Sequence, residues 1–222
     1  MTKQAYILFT RIPTPNKVKT RLQARLSGLE ASQVQGDMLQ DFFAKFQNLP
    51  SQQQIDVFVA YSDEQDPSTF LTTLPVTFQA MAQVGRDMGQ RMQHAFEFVF
   101  NLGYDAVVLT GSDIPGLDPA LITQAFAKLQ DVVIGPSPDG GYYLIGCRRG
   151  INLAPMFTSP IAWGQDTVYA TTMKLLHGVH IALLKPLQDV DYPQDLTTLT
   201  PRTIQQNQNL GAWLIKNRGK LG

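Results

Sequence analysis

Aspartates set just beyond apolar runs are the residues of this chain best suited to chemistry. Val107-Val108-Leu109-Thr110-Gly111-Ser112-Asp113-Ile114-Pro115 reads as a strand covered on both faces, followed by a turn that delivers Asp113 past its carboxyl end. A carboxylate there suits magnesium, which uses one or two carboxylates plus substrate phosphates and keeps several waters. Taken alone, Ser-Asp-x-Pro is equally a turn whose aspartate caps its own loop. Asp189-Val190-Asp191 adds two more carboxylates after a later apolar run. If extended, that stretch projects Asp189 and Asp191 to one side, where either could approach a metal held by Asp113. Asp191 could otherwise cap the helix opening near Pro193. Pro138-Asp139-Gly140-Gly141-Tyr142-Tyr143 offers a glycine pair for close backbone approach or positive φ, and an aromatic wall with hydroxyl tips. As a bare pattern it is a hairpin turn with Asp-Gly at its centre.

Cations answer these carboxylates. Arg11-Ile12-Pro13-Thr14-Pro15-Asn16-Lys17-Val18-Lys19-Thr20-Arg21 follows the first apolar run, so Arg11, Lys17, Lys19 and Arg21 could neutralise a di- or triphosphate, with loop amides assisting. A solvated basic turn is the plain alternative. Neither the P-loop pattern GxxxxGKS/T nor GxGxxG is present. Gln83-Val84-Gly85-Arg86-Asp87-Met88-Gly89-Gln90-Arg91 precedes a helix; Gln83 and Arg91 could read a base edge or a phosphate, or the stretch is an ordinary helix start capped by Asp87. There is no CxxC, HExxH or nucleophile elbow, and His94, His177 and His180 are not spaced for zinc.

Several elements must position these groups. Apolar runs at 5–10, 55–61, 76–80, 105–110, 131–135, 142–146 and 179–185 alternate with helix-periodic segments, the signature of a mostly parallel sheet with crossover helices. Met38, Phe42, Phe43 and Phe46 share a helical face, as do Met88, Met92, Ala95, Phe96 and Val99. Asp118-Pro119 marks a helix start, and further helices are expected at 165–177 and 201–217. The 222 residues are 44% apolar and carry 18 basic and 18 acidic side chains, so a large core is available and a nucleic-acid surface is not expected. A single cysteine, Cys147, forbids an internal disulfide and fits a cytoplasmic setting. The apolar stretch before Arg11 is too short for a signal sequence or membrane span. A single domain, 1–222, is expected.

With these motifs in order, the chain resembles a bacterial family described as rSAM/selenodomain-associated transferase 1, a domain of unknown function within the GT-A, or nucleotide-diphospho-sugar transferase, superfamily. The resemblance covers nearly the whole chain and rests on Arg11 with Pro13, Pro15 and Lys19-Thr20-Arg21-Leu22; on Gln83, Gly85, Asp87, Gly89, Arg91 and Met92; on Gly111-Ser112-Asp113-Ile114-Pro115; on Gly135-Pro136 with Asp139-Gly140-Gly141-Tyr142-Tyr143; on Trp163; and on Asp189-Val190-Asp191 with Pro193. It implies a Rossmann-like GT-A fold with helices on both faces of the sheet, a nucleotide over the first loop, and Mg2+ or Mn2+ on Asp113 assisted by Asp189 or Asp191. In the transferase reading that follows, the Asp139-Gly140-Gly141-Tyr142 loop and Trp163 shape the acceptor side, and Asp139 could act as a general base. Three positions depart from the family pattern: Asn16 replaces glycine, Gly164-Gln165 replaces Ser-Thr, and Tyr192 replaces a threonine cap, which leaves Asp191 as the expected cap.

The expected function is a metal-dependent transferase using a nucleotide-activated donor, foremost a glycosyltransferase acting on a nucleotide sugar and a small-molecule acceptor. Nucleotidyl transfer from a nucleoside triphosphate, with pyrophosphate release, suits the basic loop as well. Nucleotide binding without turnover is the third reading.

Overall fold

The computed structural model describes residues 2–62, 65–159 and 161–221. Seven strands, β1 (Gln4–Thr10), β2 (Ile55–Tyr61), β3 (Phe78–Ala82), β4 (Ala106–Gly111), β5 (Val132–Pro136), β6 (Tyr142–Arg148) and β7 (Ile181–Leu183), form one sheet in the order β3-β2-β1-β4-β6-β5-β7. Every pairing is parallel except those of β6, which runs antiparallel between β4 and β5. The expected α/β sheet is therefore present, and β3 lies two residues later than the apolar run suggested. β7 covers three residues of the expected seven, because its side chains are only partly buried at the sheet edge.

Ten α-helices lie among the described residues: α1 (Gly28–Phe46), α2 (Leu49–Gln53), α3 (Ser68–Leu71), α4 (Met88–Asn101), α5 (Pro119–Lys128), α6 (Ala154–Thr158), α7 (Val168–Leu175), α8 (Pro193–Thr197), α9 (Pro201–Gln206) and α10 (Gln208–Asn217). Period-2 alternation divides the strands between two cores. Tyr6, Leu8, Val57 and Val108 face α1 and α5 through Phe42, Phe46, Leu121 and Ile122. Ile7, Phe58, Val107 and Ile134 face α4, α6 and α7 through Met92, Phe96, Met156 and Val168. The far side of α1 is covered in turn by Leu196, Leu210, Trp213 and Leu214.

Local signals explain the helix ends. Ser27 and Glu30 form a reciprocal capping box on α1; Asp87 accepts from Gln90 N at 2.8 Å, and Asp118 from Leu121 N at 2.8 Å. The single helix expected at 201–217 is broken at Asn207, which leaves helical geometry while its Nδ2 donates to Pro115 O and Thr203 O. Among the described residues no helix is long and apolar enough to cross a membrane.

Candidate functional site

The carboxyl ends of β1, β4 and β5 open on a cleft of about 620 Å³. Arg11, Lys19, Arg21, Gln83, Arg91, Asp113, Asp139, Gly141, Tyr142, Trp163, Asp189 and Asp191 all line it, so residues separated by up to 180 positions meet in one place. Lys17 instead faces an adjoining pocket of about 40 Å³, shared with Arg11. Gly140 does not line the cleft either. Its φ of +86° and the approach of Asp166 O, which a Cβ would meet at 2.1 Å, make it a packing position under the loop. Tyr169 N bonds Gly140 O at 2.9 Å and ties that loop to α7.

Asp113 sits where its strand was expected to deliver it, half-exposed at the cleft floor. Its backbone places the distant carboxylates: Val190 N donates to Asp113 O at 2.8 Å, and because Val190 is buried, Asp189 and Asp191 on either side of it turn toward the cleft. Between Asp113 and Asp191 lies the ammonium of Lys19, 2.9 Å from Asp113 Oδ2 and 3.9 Å from Asp191 Oδ1, also donating to Val190 O. The Lys19 side chain is only 4% exposed. Its backbone adopts the left-handed conformation (φ 49°, ψ 40°), which costs a non-glycine residue roughly 1–2 kcal/mol. Arg21 pairs with Asp191, which raises the Arg21 pKa above its usual value.

Asp191 is thus an ion-pair partner. The expectation that it caps the following helix is corrected: Asp195 Oδ2 accepts from Asp191 N (2.9 Å) and Tyr192 N (2.6 Å). Asp189 has no salt bridge among the described residues. Burial pushes its carboxyl up to about 6, with Asp191, Asp139 and Asp113 adding to the effect. Asp139 Oδ1 accepts from Gly141 N at 3.0 Å, closing its own turn as the hairpin reading anticipated.

Two expectations about donors change. The amides of Lys17 and Val18 both turn back on Thr14 O, so this stretch of the loop presents side-chain charge more than free N–H groups. Asn16 takes φ 62°, a conformation that asparagine tolerates, as its departure from the expected glycine required. The aromatic hydroxyls do not point into the cleft: Tyr143 OH donates to Lys185 O at 3.0 Å, and Tyr142 OH is buried beside Thr172. Tyr142 and Trp163 contribute their rings, and the neighbouring Met88 and Met92 their flexible apolar side chains.

At the other end of the cleft the Gln83 amide is committed. It is 3% exposed, and Nε2 donates to Thr10 O at 2.8 Å and Ala60 O at 2.9 Å, so only its oxygen remains to meet a ligand. Arg91 Nε donates to Gly85 O at 3.1 Å.

Two supporting residues escaped the sequence reading. Gln35, buried on α1, donates to Ser112 Oγ (3.0 Å) and Thr10 Oγ1 (3.3 Å); Ser112 Oγ in turn donates to Asp113 Oδ1 at 3.3 Å. A glutamine inside the apolar face Ala31, Val34, Met38 was the available signal. Lys45 donates to Pro115 O, Leu117 O and Asn207 Oδ1 at 2.9–3.1 Å, pinning the loop after Asp113, and burial lowers its pKa to about 8.

The donor set fits a hard divalent cation. The candidate ligands are carboxylate oxygens, and Asp189 is a partly buried carboxyl with no salt bridge among the described residues. Among the described residues no group of three or more His, Cys, Asp or Glu is placed to hold a metal ion by itself. Magnesium shared with substrate phosphates does not require one.

Comparison with known proteins agrees with this architecture. Residues 45–165 match the model of a family described as an uncharacterized protein conserved in bacteria, DUF2064. A crystal structure from Desulfovibrio desulfuricans G20, provisionally described as a nucleotide-diphospho-sugar transferase, is 32% identical, with 100% of this chain and 97% of that one covered and a TM-score of 0.88. A cytidylyltransferase from Leptospira borgpetersenii is 10% identical, covering 100% of this chain and 97% of that one, with a TM-score of 0.55. A 4-diphosphocytidyl-2C-methyl-D-erythritol synthase from Anaerococcus prevotii is also 10% identical, covering 94% and 96%, with a TM-score of 0.55. At such identity these two show the fold alone. Among curated proteins no relative matches. With more than half of its residues matched by the family model and a full-length relative at 32% identity, this chain belongs to the DUF2064 family, within the nucleotide-diphospho-sugar transferase superfamily.

Proposed function

We propose that the protein is a metal-dependent glycosyltransferase that moves a sugar from a nucleoside diphosphate to a small-molecule acceptor. One observation carries this reading: four aspartates from three separate loops share one strand-end cleft with the cations of the first loop. The description of the Desulfovibrio relative as a nucleotide-diphospho-sugar transferase supports it.

In this reading Asp113 and Asp189 hold Mg2+ or Mn2+. The ion would neutralise charge that builds on the departing diphosphate. Arg11 and Arg91 lie on the side of the cleft that takes the nucleotide, and the oxygen of Gln83 accepts from the base. Lys17 adds long-range positive potential from its adjoining pocket. Trp163 and the ring of Tyr142 flank the acceptor, which is a good place for a sugar face and helps exclude water. The acceptor hydroxyl oxygen bonds to the anomeric carbon as the bond from that carbon to the diphosphate oxygen breaks. Its proton passes to the Asp139 oxygen not engaged by Gly141 N, and the nucleoside diphosphate leaves with the bonding pair.

The test is product analysis with a panel of nucleotide sugars and nucleoside triphosphates, each with Mg2+. Release of nucleoside diphosphate from a nucleotide sugar is expected. Pyrophosphate release from a triphosphate would replace this reading with nucleotidyl transfer, and magnesium-independent binding without turnover would leave only a nucleotide-binding protein.

A further inference from the structure

The reading above assigns Asp113 to a metal, yet in this structure its nearest cation is the protein's own. Lys19 reaches Asp113 Oδ2 at 2.9 Å and lies 3.9 Å from Asp191 Oδ1, with its side chain almost wholly enclosed. A buried ammonium of this kind persists because its partners offset its lost hydration. Its left-handed backbone is an unfavourable conformation kept where surrounding contacts over-determine it. Lys19 and Arg21 together balance Asp113 and Asp191, so that these two carboxylates are neutralised without an added ion. A divalent cation at Asp113 would face a like charge on the same oxygen.

Resting on the metal-dependent reading, we propose that Lys19 is a displaceable internal counter-ion: it holds Asp113 and Asp191 in the nucleotide-free protein, opposes metal binding there, and moves onto the donor phosphates when metal and nucleotide arrive together. Metal and nucleotide then bind cooperatively, because each removes the other's obstacle, and linkage makes that coupling reciprocal. The free protein is spared capture of a metal ion it cannot use.

Mn2+ titration of nucleotide-free wild type, Lys19→Gln and Lys19→Arg tests this. Lys19→Gln is expected to bind Mn2+ at least about tenfold more tightly than wild type, the scale of an ordinary coupling between two sites. Lys19→Arg, which keeps the charge, is expected to bind no more tightly than wild type. Equal affinity in wild type and Lys19→Gln overturns the inference while leaving a metal site in place. Equal tightening in both variants also overturns it, because packing and not charge would be the cause. If neither wild type nor Lys19→Gln binds Mn2+, the metal reading falls with it. Should Lys19→Gln fail to fold, acetylation of Lys19 in wild type, read by mass spectrometry, decides the matter: saturating Mn2+ must increase labelling severalfold, and unchanged labelling overturns the inference.

Discussion

The two ends of the cleft are built on opposite principles. At the β1–β3 end, Gln83, Thr10 and the main-chain carbonyl of Ala60 form a buried, neutral network in which both Gln83 amide hydrogens are spent. At the β4–β7 end, Asp113, Asp139, Asp189 and Asp191 crowd together, one lysine takes a costly backbone conformation, and one carboxyl titrates near 6. A satisfied amide network is rigid and stabilises the strand ends. Crowded carboxylates lower stability and are retained where they have work to do. The amide end should therefore govern the fold and the carboxylate end the reaction.

The largest effect expected from that contrast is at Asp113. Asp113→Asn should lower turnover by at least about 100-fold in steady-state assays, since the metal's charge stabilisation is removed, and should also lower the denaturant midpoint, since the enclosed Lys19 ammonium loses its nearest carboxylate. Wild-type turnover in Asp113→Asn would contradict the division. Gly140→Ala comes next. A Cβ 2.1 Å from Asp166 O at φ +86° should cost about 2–3 kcal/mol by urea unfolding, whereas Gly150→Ala, at φ +88° with open space around it, should cost about 1 kcal/mol. Equal costs would show that the Asp139 loop is not braced on Asp166.

Gln83→Leu probes the opposite end and should destabilise by about 1–2 kcal/mol, because two carbonyls lose a donor in a buried setting. A variant of normal stability but altered nucleotide affinity would make Gln83 a ligand-reading residue first. The smallest effect is at Asp189. Its folded pKa is raised from 3.8 to about 6, so the relative stability it contributes is intact below pH 3.8 and is lost as pH rises through about 6. Asp189→Asn should accordingly stabilise the metal-free protein at pH 7.5 by about 1 kcal/mol, a figure discounted for the group's solvent exposure, and by nothing near pH 3.5.

Much of this was legible before the fold. Strands announced themselves as apolar runs, and Asp113 followed from the strand that ends just before it. Asp87 and Asp118 were readable as caps, because a cap involves residues only three apart. What stayed hidden was set by long-range contacts. Nothing near Lys19 says that its partner is the segment 171 residues away, and a run of four cations looked like a phosphate cradle when two of them, Lys19 and Arg21, are matched to aspartates. The break at Asn207 was equally invisible, since it depends on the Pro115 carbonyl and Lys45.

The most direct test of the account is calorimetric titration of wild type and Asp113→Asn with UDP, GDP, ADP and CDP, each with and without Mg2+. The account predicts that wild type binds at least one of them and that Mg2+ strengthens this binding in wild type and not in Asp113→Asn. Equal affinity with and without Mg2+ in both proteins would contradict it.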